Sequence, residues 1–256
     1  MKKFLLCCSM LILLIGCTPE GIISGYPQSK LNELLVEKNL EDEGHYGICK
    51  FYIPPQEKIT EKLPLVVYFD SKEHDDGVNS IIEYVDKEEN PAIVIIVPYG
   101  TNDYERALIS QGVEDYVTSK VKDSSSAIDP TRIYVTGFGS GAFEAWSFAL
   151  ENPELVSTFA PVCGGPPSGK SYKDPDVPVV MMEMNIWAVQ YVDDPLINND
   201  FSKKVVTAIW TQNLSLCRYT EFFDGGHTTA PFKQRSFLDW IFGTRRLSSS
   251  KGDSDP

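Results

Sequence analysis

The sequence has little positive charge, few cysteines and few histidines, and these shortages restrict what the protein can bind. Lys and Arg number 23 against 36 Asp and Glu among 256 residues. The resulting net charge of -13 repels phosphate backbones and argues against nucleic acid as a partner. No CxxC pair, no Cys/His cluster and no nucleotide-binding glycine motif occurs. We therefore predict neither a metal nor a cofactor.

The first sixteen residues have the pattern of a secretory signal peptide. Lys2 and Lys3 precede an apolar run over 4–15, which is shorter than the roughly 20 residues that a transmembrane helix needs. The run ends in residues 14–17 (LIGC), which resemble the bacterial lipobox, where a peptidase cuts before the Cys and the sulfur is acylated. We expect residues 1–16 to be removed and Cys17 to carry the acyl chains, palmitate among them. An ordinary cleaved signal or a membrane anchor is the alternative.

Acylation at Cys17 predicts a lipoprotein anchored in the bacterial cell envelope, because several acyl chains hold a protein firmly on a membrane. Thr18 follows the Cys where enterobacterial sorting for inner-membrane retention would require Asp, so the outer membrane or cell surface is permitted. Three cysteines remain in the body of the chain, Cys49, Cys163 and Cys217. An oxidising envelope allows one disulfide among them, but we expect buried free thiols first, since no spacing repeats.

The body of the chain alternates between strand-like and helix-like segments. Apolar runs at 63–69 and 92–97, bounded by turn residues, are typical of strands buried on both faces of a parallel sheet. Further strands are predicted over 46–53, 132–136, 158–162, 177–184 and 218–223, and helices over 106–121, 142–150, 202–212 and 231–242. This order predicts one α/β domain over 44–246, with a mainly parallel central sheet and helices on both faces. Residues 17–43 are predicted as a tether and short helix, and 247–256 as a disordered tail.

Three motifs occur in a recognisable order along this domain. They are residues 128–137 (IDPTRIYVTG), 161–165 (PVCGG) and 224–227 (DGGH). They resemble the lead-in to the nucleophile, a strand end and the histidine loop of the α/β-hydrolase fold, in its polyhydroxybutyrate-depolymerase-like and feruloyl-esterase-like branch. The resemblance covers roughly 44–243 and implies an esterase-like fold with a Ser–His–Asp triad.

The position of the nucleophile departs from this family. In the G-x-S-x-G motif the Ser lies on a sharp strand-to-helix turn, whereas residues 137–141 are GFGSG. Gly139 therefore occupies the nucleophile position and Ser140 comes one residue late. One residue along a helix N-terminus rotates a side chain by about 100°, so we expect Ser140 not to face the catalytic histidine. Gly139 is compatible with the turn, because glycine tolerates a strained backbone.

The remaining site positions are partly preserved. The resemblance implies His227 as general base and Asp194 as the acid that orients it, with Asp193 an equal candidate for the acid. After the first buried strand, however, Asp70 and Ser71 stand where the family usually has His-Gly. A carboxylate at Asp70 would oppose the negative charge that develops on an oxyanion, unless it merely faces solvent.

These residues lead to three hypotheses. The first is an envelope-anchored lipoprotein whose α/β-hydrolase fold lacks its nucleophile, a pseudoenzyme with little or no catalysis that binds a small-molecule, ester or glycan ligand. The second is an active carboxylic-ester hydrolase that uses Ser140, His227 and Asp194 and requires the turn to shift by one residue. The third is a structural envelope protein without a ligand, which side chains filling the space over Gly139 would favour. The sequence leaves open whether the chain is an enzyme.

Overall fold

The computed structural model describes residues 21–73, 75–87, 91–167, 181, 183–198, 200–210 and 217–246. The predicted signal peptide, Cys17 and the predicted tail over 247–256 lie outside these ranges. Within the described part of the chain, no helix combines the length and the apolar character that crossing a membrane requires. The described residues build one eight-stranded sheet covered by helices.

The sheet is parallel except at one end. Its strands are β1 (Leu35–Asn39), β2 (Ile48–Tyr52), β3 (Leu63–Phe69), β4 (Ile93–Val97), β5 (Ile128–Phe138), β6 (Thr158–Val162), β7 (Asn185–Tyr191) and β8 (Cys217–Phe222). Their order across the sheet is β1-β2-β4-β3-β5-β6-β7-β8. β2 runs antiparallel to β1 and β4, and the other neighbouring pairs are parallel. The predicted α/β class with a mainly parallel sheet is confirmed.

Helices cover both faces of this sheet. They are α1 (Gln28–Leu34), α2 (Gly77–Lys87), α3 (Asp103–Lys122), α4 (Gly139–Glu151), α5 (Asp200–Trp210) and α6 (Arg235–Phe242). Trp146 of α4 and Val205 of α5 belong to one cluster of buried side chains, and Ile81 of α2 and Leu238 of α6 belong to another. Because successive side chains of a strand point to opposite sides, the two clusters are the two faces of the sheet.

β3 lies near the centre of the sheet, and all seven of its residues are buried. Val67 joins the cluster under α4, whereas Val66 and Tyr68 join the cluster under α2. Helices on both faces explain why a continuous apolar run is stable here, and why the sequence predicted this strand at its observed bounds. At the carboxyl edge Phe69 pairs with Gly137 of β5, so the loops that follow these two strands meet.

The strand predicted over 177–184 lies mostly outside the described residues. At its described end, Met181 and Met184 are buried in a turn, in which the Met184 N–H donates to the Met181 carbonyl over 3.2 Å. The strand β7 begins at Asn185, directly after the predicted range, and lies between β6 and β8. The end of the predicted strand is therefore a turn, and the strand that the sequence did not predict follows it.

The segment predicted as a tether and short helix, 17–43, is described from residue 21 onward, and the short helix is present as α1. The sequence did not predict β1, which follows α1 at once as an edge strand in which Val36 pairs with Phe51 of β2. Upstream, the Ile23 N–H donates to the Lys233 carbonyl over 2.8 Å, and Ile23 is buried. The described part of this segment therefore belongs to the domain, because its backbone and apolar side chains find their partners there.

The three cysteines of the body, Cys49, Cys163 and Cys217, are buried and free. Burial raises the pKa of each thiol to about 12, so each is neutral at ordinary pH. The expectation of buried free thiols is confirmed.

The start of α4 approaches the end of β3 very closely at Gly141. A Cβ added there would lie 2.2 Å from the Phe69 carbonyl oxygen and 2.6 Å from that of Asp70. Both neighbours are backbone atoms of the central strand and its loop, so they cannot turn away as a side chain would. A residue without a side chain is therefore what allows α4 to begin directly above β3.

We expect Gly141→Ala to destabilise the fold by about 3 kcal/mol, because the methyl group must separate α4 from β3. Gly44→Ala is the matched control. Gly44 has a φ of +85° but nothing within 4 Å of an added Cβ, so its cost should be limited to about 1 kcal/mol of backbone strain. Urea unfolding of both variants measures the difference. A Gly141→Ala variant within 0.5 kcal/mol of wild type would contradict the close approach.

Asp75 connects the loop after β3 to the start of α2. The Tyr68 hydroxyl donates to its Oδ1 over 2.6 Å and the Gly77 N–H over 2.9 Å, while Oδ2 is buried without a hydrogen-bond partner among the described residues. Burial raises the pKa of Asp75 to about 7, and the neighbouring Asp70 and Asp76 add to the rise. The two donated hydrogen bonds oppose this rise without cancelling it.

This raised pKa predicts a stability that falls as pH rises. An unfolded Asp titrates near 3.9, so between about pH 4 and pH 7 the folded chain binds more protons than the unfolded chain. Asp75→Asn keeps an oxygen acceptor without the charge. We expect the free energy of unfolding of this variant to equal that of wild type at pH 4 and to exceed it at pH 8 by about 1 to 4 kcal/mol. Urea unfolding across this range tests it, with exposed Asp42→Asn as control, and parallel profiles for wild type and Asp75→Asn would refute it.

Candidate active site

The turn between β5 and α4 brings Gly139 to the carboxyl edge of the sheet. β5 ends at Phe138, and Gly139 has a φ of +53°, in the left-handed region that glycine tolerates. A Cβ added to Gly139 would lie 2.8 Å from Nε2 of His227 and 3.1 Å from Oε2 of Glu73. Residue 139 thus has the backbone and the neighbour expected of a nucleophile on a strand–turn–helix elbow, but it carries no reactive group.

The structure brings His227 and Asp194 together. Nδ1 of His227 lies 2.8 Å from Oδ2 of Asp194, and Oδ1 of Asp194 accepts from the N–H groups of Leu196 (2.8 Å) and Ile197 (3.0 Å). The Asp194 side chain is fully buried and the His227 side chain is 9% exposed. Because the carboxylate accepts the Nδ1 proton, Nε2 is directed at Gly139, where it has no hydrogen-bond partner among the described residues.

Asp193, the other candidate for the acid, holds the histidine loop instead. Its carboxylate accepts from the N–H of Gly226 over 2.9 Å and from that of Gly225 over 3.2 Å. Both glycines have positive φ values, +131° at Gly225 and +66° at Gly226, which explains the Gly-Gly pair of the motif. The ring of Phe138 packs on His227 with centroids 4.4 Å apart. Asp194 is therefore the carboxylate that meets the histidine, and Asp193 shapes the loop that carries it.

Ser140 points toward the loop after β3. Its hydroxyl donates to Oε2 of Glu73 over 2.5 Å, accepts from the Lys72 N–H over 2.9 Å and lies 3.0 Å from Oγ of Ser71. The hydroxyl proton is therefore used by Glu73 and one lone pair by the Lys72 N–H. The third sequence-predicted site residue is thus held by loop residues 71–73, while Nε2 of His227 faces Gly139.

Glu73 occupies the place where an oxyanion would bind. In a strand–turn–helix elbow, the N–H of the residue after the nucleophile is an oxyanion donor. Here that N–H belongs to Ser140 and donates to Oε2 of Glu73 over 3.1 Å, and the Ser71 hydroxyl donates to the same oxygen. Burial raises the pKa of Glu73, but the hydrogen bonds from Ser140 and Ser71 outweigh it and lower the pKa to about 2. The donor group is therefore occupied by an ionised carboxylate of the same chain.

Asp70 was the carboxylate that the sequence pointed to in this loop, and Glu73 was not predicted. Asp70 accepts the N–H of Ser71 over 2.9 Å, and burial raises its pKa. Glu73, three residues further along the loop, is the acidic residue that meets the Ser140 N–H. The sequence did show acidic residues in a loop that usually offers N–H donors to an oxyanion. No spacing rule, however, says which side chain of this loop reaches the Ser140 N–H.

Cys163 adds a third group beside the pair of Asp194 and His227. Its Sγ, a carboxylate oxygen of Asp194 and a ring nitrogen of His227 lie within 4.8 Å of one another, a set that the sequence analysis did not predict. The thiol donates to the Thr228 carbonyl over 3.8 Å. The backbone φ of Cys163 is +52°, a value that residues other than glycine rarely adopt. A metal ion would have to displace both the thiol proton and the His227 proton that Asp194 holds. These residues therefore do not form a prepared metal site.

No family model matches the chain. A stretch of 43 residues is 42% identical to poly(3-hydroxyalkanoate) depolymerase C of Paucimonas lemoignei, which is 17% of this chain and 10% of that one. A thermostable esterase superposes with a TM-score of 0.66 at 19% identity, over 84% of this chain and 64% of that one.

Two further solved structures extend the comparison. A feruloyl esterase module of Clostridium thermocellum gives a TM-score of 0.55 at 13% identity, over 84% of this chain and 93% of that one. An S-formylglutathione hydrolase of Agrobacterium tumefaciens gives a TM-score of 0.55 at 13% identity, over 82% of this chain and 94% of that one. The chain thus spans less than two thirds of the thermostable esterase and a tenth of the depolymerase. With the strand order and the elbow at Gly139, these likenesses show that the chain has the α/β-hydrolase fold that esterases also adopt.

Proposed function

We propose that this chain is a lipid-anchored protein of the bacterial envelope that uses an esterase-like site to bind a small-molecule, ester or glycan ligand without hydrolysing it. The observation that carries the proposal is Gly139, which faces Nε2 of His227 at the position of the nucleophile. Without a hydroxyl or thiol there, no acyl-enzyme can form by the mechanism that the fold usually supports.

A second observation supports the loss of catalysis independently. Hydrolysis through a tetrahedral intermediate requires a free donor for the developing oxyanion. The Ser140 N–H, the donor expected from this elbow, already donates to Glu73. A substrate carbonyl would have to displace an ionised carboxylate before it could be polarised.

The active-hydrolase alternative would use Ser140 as nucleophile. For that, its hydroxyl must leave Glu73, Lys72 and Ser71 and turn toward His227. Rotating the side chain would break the contacts that hold it, and the backbone would also have to shift, since residue 139 is the one that faces Nε2. The geometry therefore favours the non-catalytic proposal.

One observation favours a structural protein without a ligand. The carboxylate of Glu73 and the ring of His227 lie close over Gly139, so part of the space that a ligand would use is filled. The Glu73 side chain is 21% exposed, however, and its second oxygen lies 3.9 Å from Nζ of the exposed Lys72. Its carboxylate can therefore move outward without disrupting the core, and a ligand-binding role is retained.

Labelling with a fluorophosphonate probe tests the loss of the nucleophile. We expect the chain from Thr18 onward to remain unlabelled, and Gly139→Ser to label slowly because Glu73 still occupies the oxyanion donor. Gly139→Ser/Glu73→Ala should label about a hundred times faster than Gly139→Ser, the range that one oxyanion donor contributes. Labelling rates are measured by mass spectrometry of the intact protein.

The matched control is Gly139→Ser/Glu61→Ala, which removes an exposed glutamate away from the site and should label no faster than Gly139→Ser. His227→Ala in the fast variant should abolish its labelling. Rapid labelling of the wild-type chain that disappears in Ser140→Ala would overturn the proposal and make the protein an esterase with an unusual elbow.

Metabolic labelling with an alkyne analogue of palmitate tests the anchor. In a bacterium that processes lipoproteins, we expect the full chain to incorporate the label and to fractionate with membranes. Cys17→Ser should lose both properties, since the acylated sulfur is gone, whereas Cys8→Ser, within the predicted signal peptide, should keep them. Label retained in Cys17→Ser would exclude this residue as the anchor.

A further inference from the structure

Three hydrogen-bond donors converge on one carboxylate oxygen at the start of α4. They are the N–H and hydroxyl of Ser140 and the hydroxyl of Ser71, and they meet at Oε2 of Glu73. Together they stabilise the charged form of Glu73 by more than burial opposes it, since its pKa is lowered to about 2. The same donors would stabilise any carboxylate that took the place of Glu73.

An unpartnered group on the opposite side of this space also points to a ligand. The side chain of His227 is 9% exposed, and its Nε2 is buried without a hydrogen-bond partner among the described residues. This nitrogen lies 2.8 Å from the place where a side chain of residue 139 would begin. A buried polar atom is costly without a partner, so a group bound over Gly139 would complete its hydrogen bonding.

The loops that carry Asp194 and His227 also expose apolar side chains, which we call the apolar rim. Val192, Leu196 and Phe223 follow β7, Asp194 and β8, and their exposed fractions are 49%, 62% and 74%. The two loops are joined at their start, where the Val192 N–H donates to the Phe222 carbonyl over 2.8 Å. Exposed apolar side chains on the loops that hold a buried polar pair offer surface to the apolar part of a ligand.

We propose that the donors of Ser140 and Ser71 form a binding site for the carboxylate of an apolar monocarboxylic acid, and that Glu73 closes this site as an internal competitor. In the open state one carboxylate oxygen takes the position of Glu73 Oε2. The other accepts from His227 Nε2, which takes up one proton from solvent as the anion binds, since the Nδ1 proton is already donated to Asp194. The apolar chain of the acid lies on Val192, Leu196 and Phe223. This proposal rests on the proposed function, namely that the site binds rather than hydrolyses.

An internal competitor explains why the site should be weak in the wild-type chain. A group tethered a few bonds from its partner acts at an effective concentration of millimolar or more, so a free acid must outcompete it. Removing Glu73 removes that competition, and it also removes one negative charge from a loop that carries Asp70, Asp75 and Asp76. Both effects strengthen the binding of an anionic ligand.

Isothermal titration of the chain from Thr18 onward with sodium octanoate at pH 7 tests the proposal. We expect Glu73→Ala to bind octanoate at least ten times more tightly than wild type. Glu73→Gln should also gain affinity, though less, because an uncharged amide can still accept from Ser140. Adding Ser71→Ala or His227→Ala to Glu73→Ala should weaken the binding again, since each removes a partner of the carboxylate.

Two further ligands separate the parts of the proposal. Octanol should gain less from Glu73→Ala than octanoate does, because only the carboxylate benefits from the removed negative charge and can accept from all the freed donors. Acetate should bind the variant more weakly than octanoate, because it cannot reach the apolar rim. Glu61→Ala is the matched control and should bind octanoate as wild type does.

Several outcomes would overturn the proposal. They are folded Glu73→Ala and Glu73→Gln variants without a gain for octanoate, an equal gain for octanol, or acetate binding as tightly as octanoate. Thermal melting verifies that the variants fold. Because the titration records binding without turnover, its failure is distinct from the failure of the proposed loss of catalysis, which rapid fluorophosphonate labelling of the wild-type chain through Ser140 would show.

Discussion

The hydrogen bond from the Ser140 N–H to the carboxylate of Glu73 is the contact on which the whole site depends. It links the loop after β3 to the first turn of α4, directly above the close approach of Gly141 to Phe69. The same carboxylate also takes the Ser140 hydroxyl, which turns this side chain away from His227. One acidic side chain thus determines the orientation of the remaining serine, the state of the oxyanion donor and the space over Gly139.

The pair of Asp194 and His227 has a structural reason to persist without a nucleophile. The Asp194 side chain is fully buried, and a buried charge is strongly destabilising unless hydrogen bonds surround it. Leu196, Ile197 and His227 supply these bonds, and the first two also set the course of the loop after β7. Loss of the histidine would leave Asp194 without its third partner. Stability alone is therefore a sufficient reason for the pair, and by itself the pair is weak evidence for catalysis.

The sequence predicted the parts of this molecule in which local pattern and tertiary environment agree. All residues of β3 and β6 are buried, so the apolar composition of these two runs was sufficient to predict them as strands. β1 was missed because Leu35, its one leucine, also fits the short helix predicted before it, and only pairing with β2 decides between helix and strand. In the site, motifs identified Gly139, Asp194 and His227, whereas Glu73 is placed by the path of a loop and the reach of a flexible side chain, which no spacing encodes.

Gly139 and Glu73 are coupled, because each residue determines the space that is left for the other. A Cβ at residue 139 would lie 3.1 Å from Oε2 of Glu73, tighter than most such contacts, so a side chain there and a carboxylate over it compete for the same volume. A glycine at the elbow makes room for the carboxylate, and the carboxylate satisfies donors that would otherwise face solvent. The effects of changing the two positions should therefore not add, because they share Ser140 and His227 as neighbours. A serine placed at residue 139 would therefore still meet the Glu73 carboxylate beside it, so the two positions have to be changed together before a side chain there has free space.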